Sequence, residues 1–228
     1  TSLDSVEEMR EILSHLKIKP PYILVGHSFG ALSMRLFASM YPDEVVGLVL
    51  EDAAHENQYV LSQENIKRIK KFKRLVTFGY VTSLVGIPRV LKQKIGRKFL
   101  AKEYDDSLNY IGYTPGAYKS AYQEYVDSVT SASQLLAAQP LRQELPVIVI
   151  SAKKQPESWK KNQLLFTDLT NNTEQIETDT GHSVHLENPK IVIDSILKLI
   201  KIAYLTFYKH SSMNFSSTNI STHKMQEV

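Results

Sequence analysis

The sequence contains no cysteine in 228 residues. That absence excludes a disulfide framework, a thiolate metal site and a cysteine nucleophile together. It also has no apolar segment suited to a bilayer: the uncharged stretch from Leu75 to Pro88 falls short of the roughly 18 residues that a spanning helix needs. There is no initiating Met and no signal peptide, and the chain opens almost inside a helix, so it reads as a fragment. Acid is missing from one long region. Residues 65 to 102 hold twelve of the 27 Lys and Arg and no Asp or Glu, which leaves 15 basic against 24 acidic residues elsewhere, a net of −9. A net charge of +3 therefore hides a basic island on an acidic body. Apolar and charged residues make up 43% and 22%, which excludes a disordered or fibrous chain. The length suits one domain with an insertion.

Apolar spacing at Val6, Met9, Ile12, Leu13 and Leu16 predicts a helix over residues 1 to 19. Pro20-Pro21 ends it, and Tyr22 to Gly26 is a short run without polar alternation, as expected of a strand buried on both faces of a parallel sheet. A helix is expected from Ser28 to Met40, and further strands at Val45–Leu50, Pro146–Ile150 and Gln175–Thr178. Helices are expected at Trp159–Leu169 and Pro189–Tyr204, the latter capped by Asn188 with Pro189 at its first position. This alternation predicts an α/β fold with a parallel, doubly wound sheet. Residues 1–56 and 146–205 form its core. Residues 57–145 show helical spacing and no strand, and are expected to be a helical insertion above the sheet, since a structureless loop that long is improbable. The polar residues 206–228 are expected to be a disordered tail.

Gly26-His27-Ser28-Phe29-Gly30 fits Gly-x-Ser-x-Gly, set between an all-apolar strand and an amphipathic helix. That is the setting of a nucleophile elbow. A turn this tight predicts that a Cβ at either Gly26 or Gly30 would collide with a neighbour, and that Ser28 is held in a strained conformation with its Oγ exposed. A serine hydroxyl needs a base. Of seven histidines, His182 follows the last expected strand and so stands at the carboxyl edge of the sheet, where Ser28 must also be. His185 is the alternative base. His27 should point away from the Ser28 hydroxyl. The base needs an anionic partner. Asp52 ends the second strand on the correct edge, and Glu51 should point the other way. The alternative acid is Glu157, after the third strand.

These motifs resemble the α/β-hydrolase superfamily over residues 1 to 204. The resemblance rests on Pro20–Gly30, on Tyr41–Leu50 and on Gly181-His-Ser-Val-His-Leu-Glu-Asn-Pro189. It implies the C-terminal half of the α/β-hydrolase sheet with a helical cap at 57–145. It implies Ser28 as nucleophile, His182 as base and the Phe29 amide as one oxyanion donor. Asp52 resembles the acid placement of haloalkane dehalogenase-like members, although Ser28 at the elbow excludes an aspartate-nucleophile dehalogenase or epoxide hydrolase. Family members carry about four more strands before this first helix, with a loop that supplies a second oxyanion amide. The chain as given is therefore expected to be poorly soluble, with at most trace activity. The implied activity is acyl transfer to water from a small-molecule ester or related carbonyl substrate, with no metal and no organic cofactor. C–C bond hydrolysis, acyl transfer to an alcohol and a catalytically silent binding protein remain alternatives. The basic island reads as a solvated cap face, as a segment touching anionic membrane, or as a site for acidic substrates. Nucleic acid is not expected, because no recognition fold or aromatic pattern accompanies the charge.

Overall fold

The structure is a computed structural model that describes residues 1–59, 62–91 and 99–221, the last helix beyond residue 207 by its backbone alone. Its elements in chain order are α1 (Ser2–His15), β1 (Tyr22–His27), α2 (Gly30–Met40), β2 (Val45–Glu51), α3 (Gln63–Ser83), α4 (Ile87–Val90), α5 (Pro115–Val126), α6 (Ser128–Ala137), β3 (Val147–Ala152), α7 (Glu157–Leu164), β4 (Thr173–Thr178), α8 (Val184–Glu187) and α9 (Pro189–Ser221). Between α4 and α5 the described residues add short helical turns at Lys102–Tyr104, Asp105–Ser107 and Leu108–Gly112.

The four strands pair in parallel in the order β1-β2-β3-β4. Leu24 lies opposite Leu48, Leu50 opposite Val149, and Ile150 opposite Ile176. Alternate side chains serve opposite faces. Leu48, Leu50, Val147 and Val149 pack with α1 and α2 around Val6, Leu36 and Phe37. Val49, Ile148 and Ile150 pack on the other face against Val184, Val192 and Leu199. Helices cover both sides, which is why these strands show no polar alternation. Each such side chain contributes roughly 1.5–3 kcal/mol by leaving water.

Between β2 and β3 the described residues are helical, with no strand among them. α3 packs along α5: Phe72 stacks on Tyr125 with ring centres 3.7 Å apart, and a Cβ on Gly79 would come within 2.4 Å of the Tyr118 ring. The last helix departs from expectation. No Pro or Gly follows Pro189 to stop it, and it runs to Ser221 rather than ending near residue 205. Residues 222–228 of the expected tail lie outside the described residues.

The two elbow glycines differ, which corrects the sequence reading. A Cβ on Gly26 would lie 2.7 Å from the Ala31 Cα and 3.1 Å from its nitrogen, backbone atoms that cannot swing aside. A Cβ on Gly30 would meet nothing within 4 Å, because Gly30 already begins α2 and faces open space. Gly26→Ala should therefore cost about 1–3 kcal/mol through overpacking. Gly30→Ala should be neutral or stabilise by up to about 1 kcal/mol. Urea denaturation of the two variants checks the contrast; equal losses would refute it.

Candidate active site

The turn from β1 into α2 holds Ser28 at φ 51°, a left-handed conformation that costs a non-glycine residue of order 1–3 kcal/mol. Three backbone bonds enforce it. The Ser28 amide donates to the Glu51 carbonyl at 3.1 Å, and its own carbonyl accepts from Ala31 (3.2 Å) and Ala54 (2.9 Å). The turn is thereby tied to the end of β2. Its second member, Phe29, sits at the cap of α2, where the first helical amides have no carbonyl within the helix to bond.

Asp52 follows β2 at φ 38°, its amide donating to the Ile150 carbonyl at 2.7 Å. Its side chain is fully buried. The carboxylate accepts from His182 Nδ1 at 2.6 Å and Gln155 Nε2 at 2.6 Å on one oxygen. Trp159 Nε1 at 3.0 Å and the Ala152 amide at 3.2 Å donate to the other. All four of these partners stand as donors to the carboxylate. His182 Nδ1 thus carries the proton, which leaves Nε2 as the acceptor for the Ser28 hydroxyl at 2.8 Å. Glu157 does not join this group; it is exposed at the start of α7. The loop after β3, where an alternative acid was sought, instead brings two donors to Asp52. Sequence reading missed Gln155 and Trp159, because neither belongs to a catalytic residue type. The one available signal was that the chain's single Trp lies just after that strand.

Glu51, one residue earlier, faces the other side of the sheet and is likewise buried. Its carboxylate accepts both the backbone amide (2.7 Å) and Nδ1 (2.6 Å) of His185. His185 therefore engages Glu51 while His182 engages Ser28. His27 turns toward the same loop, donating from Nε2 to the His182 carbonyl at 2.9 Å. Burial pushes the His27 imidazole down, so it stays neutral and suited to that single donation. Among the described residues, His27, Glu51 and His185 place ligand-type atoms within 4.8 Å of one another. Their atoms are already committed to each other and to the His182 loop, which is the pattern of a hydrogen-bonded support.

A cavity of about 310 Å³ opens on this group, lined by Ser28, Tyr59, Arg68, Phe72, Trp159 and His182 among others. Five Phe, Tyr and Trp side chains share its lining with Gln58, Arg68 and Glu124. Among the described residues, both amide atoms of buried Gln58 and Nε of Arg68 have no hydrogen-bond partner. Burial pushes the Tyr59 hydroxyl and the Glu124 carboxyl up, so both favour their neutral forms more than they would in water.

Comparison with known proteins agrees with this architecture. A family model for the alpha/beta hydrolase fold matches residues 1–189, and the chain belongs to that family. It is 26% identical over 211 residues to the uncharacterized protein YbdG of Bacillus subtilis (86% of this chain, 62% of YbdG). It is 30% identical over 189 residues to the uncharacterized protein C23C11.06c of Schizosaccharomyces pombe (79% of this chain, 34% of that one). The chain thus spans less than two thirds of YbdG and about a third of the other. Among solved structures, a putative ancestral haloalkane dehalogenase aligns with a TM-score of 0.66 at 15% identity, over 89% of this chain and 76% of that one. A carboxylesterase study of the Thaumarchaeon Nitrososphaera gargenis supplies another, with a TM-score of 0.59 at 16% identity, over 90% and 74%. At such identities the likeness concerns the fold.

Burial also pushes the His55 imidazole down. His27 and His55 each carry fewer protons folded than unfolded, so stability is lost as pH falls through about 6.5. Glu124 works in the opposite sense but is common to a wild-type and variant pair. His55→Asn keeps a side-chain acceptor for the Asn57 amide, which His55 Nδ1 now binds at 3.2 Å. The urea midpoint should fall between about pH 7.5 and 5.5, and less steeply in His55→Asn. Parallel slopes would count against a buried neutral His55.

Proposed function

We propose that the chain is the catalytic part of a serine hydrolase acting on an ester or related acyl compound. The observation that carries this reading is the continuous relay from Asp52 through His182 to Ser28, at 2.6 and 2.8 Å. Those separations lie within the reach that proton transfer requires. Ser28 Oγ attacks the carbonyl carbon as His182 Nε2 takes its proton. The Phe29 amide donates to the oxygen that becomes negative. The imidazolium, held by Asp52, returns the proton to the leaving alcohol. Water then repeats the sequence and releases the acid, regenerating Ser28.

Asp52 supports that cycle by fixing the tautomer and by stabilising the transient imidazolium. Its other three donors leave its charge satisfied even while His182 is neutral, so the relay is preorganised before substrate arrives. The aromatic side chains of Phe29, Tyr59, Phe72, Tyr125 and Trp159 favour an apolar acyl or alcohol group beside the Ser28 hydroxyl.

In a full-length form that carries the strands before this first helix, Ser28→Ala should abolish ester turnover and labelling by a fluorophosphonate probe without lowering the melting temperature. An unlabelled wild type would point instead to a catalytically silent binding protein. Asp52→Asn should lower kcat by roughly 10³ to 10⁴, by analogy with other triads. Glu157→Gln should change it less than tenfold. Activity should also fall on acidification, since a protonated imidazole cannot accept the serine proton. The reverse ranking of the two acid variants would move the acid to the loop after β3.

A further inference from the structure

α3 carries two stripes with the same alternating spacing of four and three residues. Phe72, Val76, Gly79 and Ser83 form the inner one, toward α5. Lys67, Lys71, Arg74, Phe78 and Val81 lie on the opposite side of the helix and are all exposed. The outer stripe is cationic in its first half and apolar in its second. Phe78 and Val81 are 66% and 56% exposed, and the apolar character continues past the helix end into Leu84 (59%), Val85 (73%) and Val90 (80%) of the α4 turn. Large apolar side chains rarely gather in the open on a monomer unless they meet a partner. No acid occurs between residues 65 and 102.

This face connects with the site. An apolar groove of about 410 Å³ runs between α3, α4 and α5, and includes Leu75, Ile87, Tyr113 and Tyr118 in its lining. Phe72 and Ala121 line both that groove and the cavity at Ser28. Adjoining the groove along α3, and sharing Phe72, Leu75 and Phe78 with it, is a hollow of about 490 Å³ whose lining includes Lys71 and Arg74 and which shares Arg68, Phe72 and Tyr125 with the same cavity. An apolar groove and a cation-rimmed hollow thus lie side by side along one helix, both reaching the cavity at Ser28.

We propose that the outer face of α3 and the α4 turn dock on an anionic lipid bilayer, from which an acyl ester is handed to Ser28. The charge selects the occupant: a row of cations beside inserted apolar side chains complements anionic headgroups over an acyl boundary. Contact is peripheral, since no helix among the described residues is long and apolar enough to cross a membrane. The groove takes the acyl chain, and Lys71 and Arg74 meet the headgroup charge. The docking step stands by itself; the transfer to Ser28 rests on the function proposed above.

The test is co-sedimentation of the full-length Ser28→Ala protein, which includes the strands before this first helix, with vesicles of phosphatidylcholine, with and without phosphatidylserine. Binding should be at least tenfold stronger with phosphatidylserine and reversed by added salt. Lys71→Glu with Arg74→Glu should remove that preference. Phe78→Ser with Val85→Ser should weaken binding at least tenfold, and as exposed substitutions both pairs should keep the wild-type melting temperature. If the charge-reversed pair fails to fold, the Phe78→Ser pair alone decides. Equal binding to neutral vesicles, no binding, or sedimentation without vesicles through contact between copies of the chain would each overturn the proposal. In wild type, Phe78→Ser should reduce turnover of a long-chain ester presented in vesicles at least tenfold, while sparing a short soluble ester. Fluorophosphonate labelling without vesicle binding would leave the hydrolase reading standing and overturn docking. Vesicle binding without labelling would support docking and overturn the hydrolase reading.

Discussion

A single buried carboxylate organises this molecule. Asp52 is fully enclosed and accepts four hydrogen bonds, from His182, Gln155, Trp159 and the Ala152 backbone. A buried polar group without partners is costly, so the surrounding segments must arrive together for both Asp52 oxygens to be satisfied. Those segments are the end of β2, the end of β3, the first turn of α7 and the loop before α8. Each has other reasons to be where it is, but only Asp52 requires all of them at once. Removing one donor leaves part of the charge unsatisfied; removing Asp52 leaves an indole, an amide and an imidazole facing a void.

A second carboxylate repeats the device on the other face of the sheet. Glu51 receives His185 as Asp52 receives His182, and the two histidines are three residues apart, His182 in the loop before α8 and His185 within α8. His27 closes the arrangement by donating to the His182 carbonyl. The imidazole beside Ser28 is therefore held at its side chain by Asp52 and at its backbone by His27, with the loop anchored further along by Glu51. The Gly181 amide adds a last tie, donating to Glu187 at 3.0 Å. Relative rigidity at this point matters physically, because a relay works only while both of its hydrogen bonds are short and aligned.

The helices between β2 and β3 answer to a different constraint. α3 has one face committed to α5 through aromatic stacking and the close approach at Gly79, and the other given to cations and exposed apolar side chains. A helix shaped only for packing would place polar residues outward at Phe78 and Val81. Here both are exposed, beside a run of cations.

The chain's own pattern determined much of this. Uninterrupted apolar runs bounded by Pro and Gly marked β1, β2 and β3 as strands covered on both faces, and the glycine-flanked serine between strand and helix marked the turn that strains Ser28. Alternation along β2 already separated Glu51 from Asp52. These features are legible because they depend on local sterics and on short periods, which a linear sequence carries directly. The alternatives at the site were decided only in three dimensions. Whether His182 or His185 faces Ser28, and whether Asp52 or Glu157 receives the imidazole, depends on which side of a loop meets which strand end. So do the unexpected parts. Trp159 and Gln155 reach Asp52 across 107 and 103 residues of chain, and the freedom at Gly30 depends on empty space that no pattern encodes. Contacts between distant segments are set by how layers pack, and that is a property of the folded whole.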